Sequence, residues 1–304
     1  MIQSNDNPAV RSVFISDLHL GSRFSKAPEA LEFLKSHNPE NLYLVGDFID
    51  AWALRRRWHW PQSYDDLLNH IGSLVDSGTK LFYTPGNHDS FLRNYLADEP
   101  PVRIQDQFVH QCADGRKMVI MHGDQFDGVE GHAQWLSVVG AVLYDGVLFA
   151  DRSFNRWLCF LGLKPRKFSG TLKGSVKKVI QYLSGFDDLV ANHARRESCD
   201  GIICGHIHVP CHKMLDEILY INLGDWIENA SALVEYADGR LHLVETSRSR
   251  RPKRPVAKKS SPQTPGFEGL TPMAARLADQ FLEFVLLETK QDIAMPSASP
   301  IARS

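Results

Sequence analysis

Short apolar runs separated by stretches of helical period constrain this 304-residue chain more than any other feature. "SVFIS" at 12–16, "NLYLV" at 41–45 and "KLFYT" at 80–84 read as buried strands. Between them, 28–37 and 63–77 read as helices, the first with Leu31, Phe33 and Leu34 on its apolar side. That alternation implies βαβ units and a largely parallel sheet, an α/β fold. Strands at 102–110 and 116–121 flank the turn "ADGR" and read as a hairpin. From 132 to 198 the pattern becomes helical and unusually apolar; strands then return at 201–204, 211–215 and 218–222. A last hairpin, 231–236 and 240–245, turns through a second "ADGR". Two β-rich halves thus enclose a helical insertion, and 1–246 reads as one domain.

Past Thr246 the pattern stops. Residues 247–268 read as a disordered, basic, Pro-rich linker, and 248–265 carry seven Lys or Arg and no acid. Thr271-Pro272 is a candidate N-cap and first helical residue for one helix in the 269–304 tail. The net charge of -2 therefore hides an acidic body, which argues against nucleic acid as a partner. No apolar stretch reaches the roughly eighteen residues of a membrane span, and the N-terminus lacks the basic start and apolar core of a secretory signal. Five scattered cysteines without a CxxC pair argue for a reducing compartment, so a cytoplasmic location is expected.

Polar residues stand just beyond the strands. Asp17-Leu18-His19 follow the first, Gly46-Asp47 the second, and Asn87-His88-Asp89 the third; His122-Gly123-Asp124 and His206-Ile207-His208 follow two later ones. Ligands gather outside the carboxyl ends of strands in open α/β sheets, so these groups are expected to share one crevice. Asp-x-His and His-x-His would place both side chains on one face of an extended segment. Carboxylates, an amide and imidazoles brought together are costly to bury unless they hold cations. Nitrogen and oxygen ligands without thiolate suit Mn²⁺, Fe or Zn²⁺. A carboxylate such as Asp47 between two ligand sets can bridge two ions.

"DLH", "GDFID", "GNHD", "HGD" and "GHIH", in that order, resemble the five blocks of the calcineurin-like metallophosphoesterases. The resemblance covers roughly residues 12–245. It implies a four-layer α/β/β/α sandwich with a helical cap and a site for two divalent ions. Asp17, His19, Asp47 and His208 would hold one ion, and Asp47, Asn87, His122 and His206 the other. His88 would face the substrate, to stabilise the phosphorane or to protonate the leaving group, with Asp89 taking its other ring nitrogen; Asn87, His88 and His206 would touch the substrate.

Within that superfamily, "SDLHLG", "GDFIDAW" and "GHIHVP" look most like the UDP-2,3-diacylglucosamine pyrophosphohydrolase group. That resemblance implies a glycolipid diphosphate as substrate, hydrolysed to UMP and a diacylglucosamine 1-phosphate at the inner membrane face. One departure stands out: His88 occupies a position where the lipid-A enzymes commonly carry Arg. An enzyme of the same fold acting on soluble nucleotides, and a scaffold of that fold without catalysis, are the rival readings. The cap residues Trp135, Leu143, Phe149 and Trp157 read either as an acyl-chain cleft or as the cap's own core. The basic tail and the cap are the expected contacts with an anionic membrane. Trp58 and Trp60, after Arg55 to Arg57, read either as a wall of the substrate site or as the packing of a surface loop.

Overall fold

A computed structural model describes residues 10–95, 97–99, 102–127 and 185–246. The expected insertion (132–198, apart from its last residues), its four cap residues, the 247–268 linker and the 269–304 tail lie outside the described residues. The chain runs β1 (Val10–Ile15), α1 (Ala27–Lys35), β2 (Asn41–Val45), α2 (Ala51–Arg56), α3 (Gln62–Asp76) and β3 (Lys80–Thr84). Next come β4 (Ala97–Glu99), β5 (Val102–Ile104), β6 (Gln107–Gln111), β7 (Lys117–Met121) and a helix at 185–196, here α4. β8 (Gly201–Cys204), β9 (Cys211–Leu215), β10 (Ile218–Asn222), β11 (Ser231–Tyr236) and β12 (Leu241–Glu245) complete it.

The strands form two sheets, ordered β12-β11-β1-β2-β3-β5-β4 and β6-β7-β8-β10-β9. The centre of each is parallel and the margins are antiparallel. Period two sorts their side chains into three cores. Val13, Leu42, Leu44, Leu81 and Tyr83 face α1 and α3, whereas Phe14, Tyr43, Val45 and Phe82 face the other sheet. In the second sheet Met118, Ile120, Ile203 and Ile221 meet that inner layer, while Val119, Ile202 and Tyr220 turn outward onto Phe186, Val190 and Ala194 of α4. Helices, sheet, sheet and helix are therefore four layers, as the resemblance implied. α3 buries Tyr64, Leu67, Leu68, Ile71 and Leu74 along one face. Each such side chain contributes about 2 kcal/mol by burial, so packing rather than helix propensity holds this element.

One expectation changes. The strand expected over 102–110 is split: β5 lies parallel to β3 in the first sheet, while β6 pairs with β7 in the second. Gln105 and Asp106 carry the chain between layers, and β propensity alone does not say which neighbour a strand will take. The β-rich halves do not map onto the sheets. β11 returns to pair antiparallel with β1, with Val13 opposite Val234, so the end of the domain closes on its beginning.

Candidate metal centre

Five strands deliver the polar residues to one end of the sandwich. Backbone bonds between the loops fix their height: Asp17 N–H donates to Gly46 O (3.1 Å), His19 N–H to Asp47 O (2.9 Å) and Gly205 N–H to His122 O (3.0 Å). The two sheets are joined at the site itself, because His206 N–H donates to Asp17 Oδ2 (3.0 Å). Close approach of these loops needs glycine. A Cβ on Gly205 would strike Ser16 Oγ and the Asp17 carboxylate, and one on Gly86 would strike Asp47.

Asp17, His19, Asp47, His206 and His208 all have φ between 49° and 69°. Each left-handed residue costs about 1 kcal/mol or more, and such strain collects where a site over-determines the backbone. The conformation also corrects the sequence argument: Asp17 and His19 meet by a turn, not by sharing a face of an extended strand.

Three donor atoms converge first. His208 Nε2 lies 3.0 Å from Asp17 Oδ1, His19 Nε2 lies 3.8 Å from the same oxygen, and the two nitrogens are 3.3 Å apart. Donors about 2.1 Å from a common ion stand roughly 3.0–3.4 Å apart, so this triangle suits a divalent cation. Beside it, His122 Nε2 lies 3.3 Å from Asp47 Oδ2, the oxygen that is also 4.0 Å from His19 Nε2. His206 lies next to His122, ring centroids 5.2 Å apart. Asp17 Oδ1, Asn87 Oδ1 and His122 Nε2 are buried without a hydrogen-bond partner. Burying such acceptors costs about 1–3 kcal/mol each unless something else binds them. The residues present therefore fit divalent ions.

The electrostatics say the same. Burial alone would push the Asp17 carboxyl up, but the charges of His208 and His122 bring it to about 2. Burial would push His208 down, yet the carboxylate of Asp17 and a bond to Asp225 raise it to about 10. Asp47 falls well below the carboxylate range against its burial, chiefly through His122, which rises in turn.

His88 presents Nε2 towards Asp47 Oδ2 at 3.9 Å, and its backbone N–H donates to Asp47 Oδ1 (2.8 Å). Asp89 does not take the other ring nitrogen. Its Oδ1 accepts Gly86 N–H (2.6 Å), and its Oδ2 accepts Phe48 N–H (2.9 Å) and the Tyr83 hydroxyl, so its carboxylate braces the loop beneath the site. Asp50 Oδ1 stands 3.0 Å from His88 Nδ1 instead, and also accepts Ala53 N–H (2.8 Å) as the N-cap of α2. Burial opposes a proton on His88, while the bond to Asp50 and the charge of Asp47 raise its pKa. Trp52, on α2, packs on the His88 ring with centroids 4.2 Å apart.

Sequence reasoning missed the acids around the ligands. Asp225 Oδ2 lies 3.2 Å from His208 Nδ1, Asp50 Oδ2 3.6 Å from His19 Nδ1, and Asp127 Oδ2 2.7 Å from His206 Nε2. His122 Nδ1 lies 3.0 Å from Val45 O. Such outer partners fix ring orientation and tautomer. A signal existed for Asp225, which follows a strand through a glycine just as Asp47 does. The Trp58 and Trp60 rings stack 6.0 Å apart against the first core, and Trp60 Nε1–H donates to Asp65 (2.8 Å), so the loop-packing reading holds for them. A further cluster, His110, Cys112 and Glu235, lies between the sheets. There the Arg11 guanidinium, 2.7 Å from Glu235, already supplies the cation.

The chain is similar to the UDP-2,3-diacylglucosamine hydrolase of Porphyromonas gingivalis: 26% identity over 261 residues, covering 77% of this chain and 96% of that protein. The protein of the same name from Psychromonas ingrahamii is 27% identical over 251 residues, covering 77% and 97%. Among solved structures, a phosphoesterase from E. coli matches at 15% identity with a TM-score of 0.38, covering 77% of this chain and 98% of that one. Residues 10–210 match the family described as calcineurin-like phosphoesterase. That span runs from β1 through the last imidazole of the cluster, so this chain, a metal-dependent phosphoester hydrolase, belongs to the calcineurin-like phosphoesterase family.

Proposed function

We propose that the protein hydrolyses a nucleotide-linked diphosphate of a glycolipid, UDP-2,3-diacylglucosamine or a close analogue, to UMP and a diacylglucosamine 1-phosphate. The observation that carries the reading is the convergence of Asp17, His19 and His208 and of the buried Asp17, Asp47 and His122, with Asn87 Oδ1 buried without a hydrogen bond. In this reading Asp17, His19, Asp47 and His208 hold one divalent ion and Asp47, Asn87, His122 and His206 a second, with Mn²⁺ the first choice and Fe or Zn²⁺ the others. Two such ions, when bound, lower the pKa of a water and neutralise charge on the phosphoryl oxygens.

The chain's own residues do the rest. Asp50 holds Nδ1 of His88, which leaves Nε2 directed at the cluster. From there His88 can give a proton to the departing diphosphate oxygen as water adds to phosphorus. Asp47 accepts the His88 backbone N–H and so keeps acid and ion sites in register. The glycolipid substrate is supported by the name shared by the relatives.

A second reading, hydrolysis of soluble nucleotides, is favoured by His88 itself, which replaces the Arg common in the lipid-A enzymes. Turnover of UDP-diacylglucosamine, UDP-glucosamine and simple nucleotides by the Mn²⁺-loaded protein separates the two. Preference for the acylated substrate supports the glycolipid; equal or better turnover of the bare sugar nucleotide rejects it. The glycolipid reading also carries a cytoplasmic protein peripheral to the inner membrane, with 248–259 as an electrostatic anchor. Truncation after Thr246 should then weaken binding to anionic vesicles and spare turnover of a soluble substrate. Among the described residues no helix is long and apolar enough to cross a membrane.

A further inference from the structure

The two halves of the metal centre draw on different outer carboxylates. His19 and His208, which converge on Asp17, lean on Asp50 and Asp225. His206 leans on Asp127, which belongs to a five-residue turn, 123–127, leading directly out of the His122 loop. The turn is a single 3-10 coil, closed by Phe126 N–H to Gly123 O and Asp127 N–H to Asp124 O, both 3.1 Å. Gly123 enters it at φ 114°, a conformation that disfavours any other residue. Phe126 anchors it on Phe186 of α4, ring centroids 5.8 Å apart.

Both ends of this turn reach the same half of the site. At its start, both oxygens of Asp124 accept Nη2 of Arg93 (3.1 and 2.9 Å), and the same Nη2 donates to Pro85 O (3.0 Å). Arg93 thereby ties the loop that carries Asn87 to the loop that carries His122. At its end, Asp127, with its side chain 1% exposed, takes Nε2 of His206. That contact fixes the orientation of the His206 ring.

We propose that the 123–127 turn organises the Asn87–His122–His206 position alone, with Asp127 as the positioning residue of His206, so that the two ions are held with separable affinities. This rests on the dinuclear reading above. Loss of an outer carboxylate costs about 10–100-fold in metal affinity. That loss should fall on one ion of the two.

The test compares the full-length wild type with Asp127→Ala and Asp127→Asn. Each is stripped with chelator and titrated with Mn²⁺, with bound ions counted by elemental analysis and read by electron paramagnetic resonance. The wild type should bind two ions and show a spin-coupled pair. Asp127→Ala should keep one ion at wild-type affinity, weaken the other about 10–100-fold and show an isolated Mn²⁺ spectrum at limiting metal. Asp127→Asn keeps the size and an acceptor oxygen, so it should fall between the two, and it carries the test if the alanine variant melts early. A merely structural role would lower the melting temperature of both variants without separating the ions. Two ions of unchanged affinity in Asp127→Ala, or joint loss of both from a folded Asp127→Asn, overturns the inference. A wild type that binds fewer than two ions overturns the dinuclear reading itself, and needs no variant to show it.

Discussion

Removing one charge at Asp50 should cost activity through His88 once both ion sites are saturated with metal. Asp50→Asn is the cleanest perturbation, since an amide oxygen at the Oδ1 position still caps α2 at Ala53 and still faces His88 Nδ1 at 3.0 Å. What disappears is the charge assistance of that bond. A hydrogen bond to an ionised group contributes about 1.5–3 kcal/mol and a neutral one about 0.5–1.5, a difference near 1 kcal/mol. That corresponds to a roughly five- to tenfold fall in kcat/KM. His88→Ala removes the proton donor and should cost about 10²–10⁴. The bond to Asp50 is the strongest influence raising the His88 pKa against its burial, so Asp50→Asn lowers that pKa. A step that needs protonated His88 fails as pH rises through its pKa, so the alkaline limb of the rate profile should move to lower pH. The assay is kcat/KM across pH for a substrate with a poor leaving group, with metal content checked because Asp50 also stands 3.6 Å from His19. The double variant decides. If Asp50 acts through His88, adding Asp50→Asn to His88→Ala changes the rate by less than about twofold, as expected for residues working as a unit. Losses that simply multiply, or an equal loss with an activated aryl leaving group, refute the reasoning.

Three further outcomes follow from the same geometry. Asp47→Ala should abolish activity and release most of the bound metal, because Asp47 Oδ2 sits between His122 and His19; near-normal metal content in that variant would contradict the bridging position. Loading divalent ions at neutral pH should release protons, since His208, raised to about 10, and His122 hold them otherwise, and metal affinity should weaken as pH falls. Calorimetric titrations in two buffers of different ionisation heat would give identical heats if that is wrong. Burial would raise the Glu235 carboxyl, but the bond to His110 leads a set of partners that hold it at about 2, below its ordinary 4.5. Its stabilisation is present above pH about 4.5 and lost as pH falls towards 2, on the order of 2 kcal/mol after discounting for solvent screening. Glu235→Gln should flatten that part of the stability profile, and parallel denaturation curves for the two proteins from pH 5 to 3 would reject the assignment.

The sequence by itself marked most of the strands, α1 and α3, and the polar residues at the strand ends, but neither β4 nor the acids behind the imidazoles. The reason is local. A strand of the central sheet must be apolar on both faces, so a run such as Asn41–Val45 is visible, and the first polar residues beyond it are also visible. α2 escaped notice because six residues, with Trp52, Arg55 and Arg56 exposed and only Ala51 and Leu54 buried, leave too short a pattern. Only the tertiary structure decided that Val102–Ile104 and Gln107–Gln111 belong to different sheets, and that β11 pairs with β1 across most of the chain. It also decided which acid serves which imidazole. Asp89 is the neighbour of His88 in the chain, but consecutive side chains diverge, and Asp50, thirty-eight residues away, takes the ring. Asp127 and Asp225 reach His206 and His208 in the same way, across loops whose approach depends on glycine and left-handed backbone. Strand ends announce their polar residues because burial of the strand stops there. The direction of a ring nitrogen is set by whichever loop packs against it, and that is fixed only when both sheets are in place.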